Sequence, residues 1–98
     1  MNKKEMLFLL IAEEGAEIAQ AASKCLRFTP EHKDIIAGNG DISNLEKLQT
    51  EIIDLLTVIH YFNQLYPESY LTYNTVSLPK LAKVCKFLNI SKEMGTLQ

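Results

Sequence analysis

"IAEEGAEIAQAASKCLRF", Ile11 to Phe28, decides how the rest of the chain is read. Its apolar residues recur with helical spacing, so it reads as an amphipathic helix. Glu13, Glu14 and Glu17 crowd against the apolar face of that helix. Like charges three and four apart repel by about 0.2–0.5 kcal/mol per pair, so the crowding needs a reason.

Outward from this stretch the chain reads as helical throughout. Helix 1 is predicted from about Asn2 to Phe28, with Asn2 as N-cap and Glu5 as its reaching partner. It stops at "RFTP", because Pro30 disfavours the helical region for Thr29. Thr29 is expected to cap a short helical turn over "PEHKDIIA", followed by a loop at "GNGD". "SNLE" announces helix 2 as a capping box, Ser43 at the N-cap and Glu46 at N3. That helix runs to the residues before Pro67. "PESYLTYNTVS" is a connection, able to hold an extended piece but without a partner strand. Helix 3 starts at Ser77 with Pro79 in its first turn. It shows one face of Leu81, Val84, Cys85 and Leu88, and is expected to stop at Asn89, leaving "SKEMGTLQ" as a frayed tail.

The fold class is therefore all-α: a short bundle of two long helices plus a shorter C-terminal one. With 98 residues and 47% apolar content the chain is one domain, 1–98, with a thin core. Helix 1 is apolar nearly all round at Met6 to Ile11, and helix 2 carries Ile53 away from Leu48, Ile52, Leu55 and Ile59. One chain cannot cover that width, which predicts a homo-oligomer, a homodimer or dimer of dimers, completing a four-helix-type core.

The net charge of −2 favours neither a nucleic acid polymer nor an acidic membrane. "MLFLLIA" is too short to span a bilayer, which takes about 20 residues, and no cleavage site follows it. A cytoplasmic protein is expected. Cys25 and Cys85 form no CxxC and fall on apolar helix positions, so both read as small core residues.

The acids repeat a spacing. Glu14 and Glu17 stand three apart on helix 1, and Glu51 and Asp54 three apart on helix 2. At about 100° per residue, each pair borders its apolar stripe. Helices packed through those stripes bring both pairs to the rim of the seam. Four carboxylates there require a counter-ion, and Mg²⁺ takes oxygen ligands while keeping sites for water and phosphate. The alternative is two solvated helix flanks, with Lys47 pairing Glu51 at i, i+4. A di-iron carboxylate bundle needs Glu-x-x-His on two helices. Thr29 and Thr57 stand where those acids would be.

"LIAEEGAEIAQAASKCLRF" followed by "NLEKLQTEIIDLLTVIHYF" resembles the MazG-like all-α nucleoside triphosphate pyrophosphohydrolases, in their compact phage-type form. The resemblance covers both long helices. Its pattern, EExxE then ExxD, falls on Glu13, Glu14 and Glu17, then Glu51 and Asp54. It implies Mg²⁺-dependent hydrolysis of a (deoxy)nucleoside triphosphate to the monophosphate and pyrophosphate, Mn²⁺ being a possible substitute, and a host cytoplasm if phage-encoded. Glu14, Glu17, Glu51 and Asp54 would ligate the metal, and Glu13 would orient or deprotonate the attacking water. Two departures stand out: a long segment from Ile18 to Thr50, and only "PKLAKVCKFLN" where larger members carry a basic, Asn-containing motif.

A triphosphate also needs cations. Lys24, Arg27, Lys83 and Lys86 are the candidates, while Lys80 and Lys92 read as solvated. A base pocket would draw on Phe8, Phe28, Tyr61 and Phe62, with Gln20 and Asn44 to hydrogen-bond. His60 faces away from Glu51 and reads as packing. The rival from another class is a non-catalytic helical oligomer that binds a nucleotide or a host protein as a regulator, its acids serving only as charge.

Overall fold

Two capped helices fold back on each other. The computed structural model describes residues 1–33 and 40–98. Helix α1 spans Lys3–Phe28, α2 Asn44–Leu65 and α3 Leu78–Glu93, so the all-α class holds among the described residues. Asn2 Oδ1 accepts the Glu5 amide proton at 2.8 Å. The Ser43–Glu46 capping box closes in both directions, at 3.1 and 3.4 Å. Each contact satisfies amides that the first helical turn otherwise leaves unpaired.

α1 and α2 run antiparallel. At one end Phe8 meets Phe62, ring centroids 5.1 Å apart, and Phe62 meets Tyr66 at 5.3 Å. There Lys4 sits over the Tyr66 ring and donates to Ser69 Oγ at 2.9 Å. At the other end Asn44 Nδ2 donates to Thr29 O at 3.1 Å and to Lys24 O at 3.5 Å, tying the start of α2 to the end of α1. The buried apolar core is thin, as expected: Leu7, Ala21 and Phe62.

Beyond α2, Pro67–Ser69 makes one 3₁₀ turn. Asn63 then clasps Leu71 from both sides, donating to its carbonyl at 2.8 Å and accepting from its amide at 2.7 Å. This holds the connection against α2 without a strand.

Three expectations are corrected. α3 does not stop at Asn89 but continues to Glu93, because Ile90–Glu93 keeps helix-compatible residues and the terminator lies beyond them. Gly95 adopts φ +77°, the Thr96 amide bonds Ser91 O and the Gly95 amide bonds Lys92 O. That pattern is a Schellman cap, so "SKEMG" ends a helix. Pro30 and Glu31 form a turn and Lys33 bridges Ser43, so no helix starts at Pro30. The rest of that expected helix, and Gly38 and Asn39 of the loop, lie outside the described residues. Cys85 is exposed because α3 packs against neither α1 nor α2 and so has no core to face, and Cys25, near the end of α1, is only half-buried. Among the described residues no helix is long and apolar enough to cross a membrane.

Candidate metal centre

Register places two acids on the inner rows of the hairpin. Glu14 lies seven residues after Leu7 and seven before Ala21, and both of those are buried. Seven residues is close to two turns, so the three share a row. On α2, Glu51 lies seven residues after Asn44 and eleven before Phe62, again sharing a buried row. The sequence pattern puts both acid pairs at the rim of the seam. The structure instead puts Glu14 and Glu51 on its inner rows, with Glu17 and Asp54 outside them.

Glu51 is 3% exposed and Glu14 is half-buried, while Glu17 is exposed. One carboxylate oxygen from each of the three lies within 4.8 Å of the others. Glu14 Oε2 is buried without a hydrogen-bond partner. Burial, then the negative charges of Asp54, Glu17, Glu51 and Glu13, push the Glu14 carboxyl above its ordinary value. The other Glu51 contact is Lys47, whose Nζ stands 2.8 Å from Glu51 Oε1. The Glu51 hydrogen bond raises the lysine pKa against the opposing effect of burial, and the charges of Glu51, Glu17 and Asp54 add to the rise.

The donor set fits a hard cation. All donors are oxygens, which suit Mg²⁺, Mn²⁺ or Ca²⁺. Ligand oxygens on one Mg²⁺ lie about 3–4 Å apart, given Mg–O distances of about 2.1 Å. The three oxygens lie within 4.8 Å of one another, somewhat wider than that spacing, and the buried Glu14 Oε2 is an acceptor without a partner.

Beside the acids is a cavity of about 50 Å³, lined by Glu17, Gln20, Ala21, Lys24, Lys47 and Glu51. That volume takes a few waters. Pockets that enclose an organic ligand run to roughly 300–1,000 Å³, so this cavity is too small to enclose one.

The other candidate residues separate into groups. Asp54 and Glu13 are exposed and act on Glu14 through charge, Asp54 more strongly. Gln20 and Lys24 line the cavity. Arg27 stacks over Phe28 at 5.2 Å and lines no part of it. Asn44 is 1% exposed, its amide engaged by Lys24 O and Thr29 O. Lys83 and Lys86 sit on α3, apart from the hairpin, and neither lines the cavity. Phe62 and Phe8 pack against each other with their rings tilted by 43°, Phe62 with no exposure at all. Phe28 lies beside His32, Tyr61 is half-exposed, and His60 Nδ1 stands 3.4 Å from the Tyr73 hydroxyl. Lys47, the i, i+4 partner of Glu51, also lines the cavity. Its signal was that same i, i+4 spacing.

No protein-family model, curated protein or solved structure matches the chain.

Proposed function

We propose that the protein hydrolyses a (deoxy)nucleoside triphosphate to the monophosphate and pyrophosphate with the help of Mg²⁺. One observation carries the reading: oxygens of Glu14, Glu17 and Glu51 converge across the α1–α2 seam, with one Glu14 oxygen buried and unpartnered. The likeness of the acid motifs and their flanking residues to the MazG-like pattern supplies the reaction class. The comparisons add nothing to it.

Glu14, Glu17 and Glu51, with Asp54 beside them, would hold the ion. Bound there, Mg²⁺ would screen phosphate charge and acidify a water. Glu13 stands about 100° round the helix from Glu14 and is exposed; in this reading it would orient or deprotonate the attacking water. Attack at the α-phosphorus breaks its bond to the bridging oxygen, and pyrophosphate leaves. Lys24 and Gln20 border the same cavity and in this reading would meet phosphate oxygens. A cytoplasmic location accords with this reaction.

The second reading is a non-catalytic helical oligomer, favoured by the Lys47–Glu51 ion pair. A buried carboxylate already neutralised by a lysine needs no metal. The deciding experiment measures pyrophosphate release from the common NTPs and dNTPs, with Mg²⁺ and with EDTA, on wild type and Glu51→Gln. Metal-dependent pyrophosphate with a monophosphate co-product, lost in the variant, is the expected result. Orthophosphate with a diphosphate would move the attack to the γ-phosphorus. No turnover on any nucleotide would favour the second reading.

A further inference from the structure

α3 has an apolar face with nothing of its own chain to cover it. Leu78, Leu81, Val84, Cys85 and Leu88 fall within about 120° around the axis. All five are exposed, Leu81 by 51% and Leu88 by 44%. The helix has 16 residues and touches neither α1 nor α2. Isolated helices near that length are marginal in water, so a stable α3 requires a surface to pack on.

The size of the missing surface can be gauged. The chain exposes 7587 Å². A folded monomer of 11.1 kDa is expected to expose about 5,700 Å². The excess is about 1,900 Å² per chain, within the range that one subunit of an obligate homodimer buries. The radius of gyration, 16.9 Å, exceeds the roughly 12.6 Å of a compact chain of this length in the same sense.

The hairpin offers the complement. Phe8 and Leu26 share one row of α1, and Leu45, Ile52 and Ile59 one row of α2, all large apolar side chains with surface left in solvent. Charge agrees with shape. α3 carries four lysines and one glutamate, a net +3, while the whole chain is −2, so the remainder carries −5. Lys80, Lys83 and Lys86 lie on the side of α3 away from its apolar face, so a second copy offers apolar side chains for packing and an opposite net charge that acts at longer range.

We infer that α3 of each subunit seats on the α1–α2 hairpin of a second copy, in a reciprocal exchange. The arrangement is a two-fold dimer in which each apolar strip is closed by the other chain's helix. The sequence predicts self-association from the width of the α1 and α2 surfaces, and the structure identifies α3 as the element that does it. The inference stands whether or not the acidic site is catalytic.

Light scattering on the full chain at micromolar concentration tests it. Wild type is expected at twice the chain mass or a multiple of it, and the double variant Leu81→Asp, Leu88→Asp at the mass of one chain. A monomeric wild type would overturn the inference and point to a different protein as the occupant. A double variant that keeps the wild-type mass would overturn the role of α3. Should the variant fail to fold, hydrogen exchange on wild type decides. Amides of Leu81–Asn89 should be protected to the degree of those in α1. Exchange of those amides at the free-peptide rate contradicts the inference.

Discussion

Lys47 Nζ stands 2.8 Å from Glu51 Oε1, one turn along α2, and Glu51 is among the most buried residues of the chain. The lysine side chain keeps 42% exposure, so a solvated ammonium neutralises a buried carboxylate. A buried charge without a partner is strongly unfavourable, which makes Lys47 the counter-ion of this structure. A divalent cation at Glu14, Glu17 and Glu51 would compete with it.

Lys47→Met should therefore tighten divalent binding. After solvent screening the competing charge is worth about 1 kcal/mol, or roughly fivefold in affinity. Titration calorimetry with Mn²⁺ on both proteins measures it. Weaker binding in the variant would mean that Lys47 supports the site rather than competing for it. The metal-free variant should also melt below wild type, because Glu51 loses its partner.

Glu14 makes stability depend on pH. Its folded pKa is raised above the ordinary 4.5, by burial first and then by the neighbouring acids. The folded chain thus holds this proton more tightly than the unfolded chain. The stability it contributes is fully present below the ordinary value and is lost as pH rises through the raised folded value. Glu14→Gln removes that loss. The variant should melt above wild type at neutral pH in EDTA, with the gap closing in acid. Mg²⁺ should close it too, by stabilising wild type alone. A gap that does not vary with pH would contradict this account.

Asn44 joins the two helices through its amide. Asn44→Ala leaves the part-buried Lys24 O and Thr29 O without that donor, at a residue that is itself 1% exposed. A cost of about 1–3 kcal/mol is expected. Urea unfolding should show a lower midpoint at unchanged slope. A changed slope would mean that the hairpin itself had opened.

Thr29 is strained. Its φ of +82° with ψ of 150° is a region that glycine alone adopts freely. Thr29→Gly should stabilise the chain by about 1 kcal/mol, raising the melting temperature by about 4–8 °C for a domain of this size. Calorimetry on the variant checks it, and a lower melting temperature would show that the Thr29 side chain stabilises the turn.

Much of this protein was set locally, and local rules found it. The α1 start at Asn2 and the Ser43–Glu46 box depend on contacts three residues apart, and Pro67 ends α2 through its own ring. Such features follow from the order of residues, whatever they pack against. α3 runs past Asn89 because Asn89 is a weaker stop than Gly95, whose positive φ closes the Schellman cap. The two acid pairs were legible by spacing, and so was Lys47 beside Glu51.

Periodicity told which side of each helix was apolar, but not the exact angle at which α1 meets α2. That angle moved Glu14 and Glu51 from the expected rim onto the inner rows. It also brought Gln20 and Lys24 to one cavity and engaged the Asn44 amide with the end of α1. The fate of Cys85 and the α3 lysines had no local answer either, because exposure depends on what a face packs against. The sequence alone determined the helices, their caps and the spacing of the acids, since these rest on interactions within a turn or two. Only the tertiary structure decided which acids face each other and that α3 stands apart, since those depend on how separate helices meet.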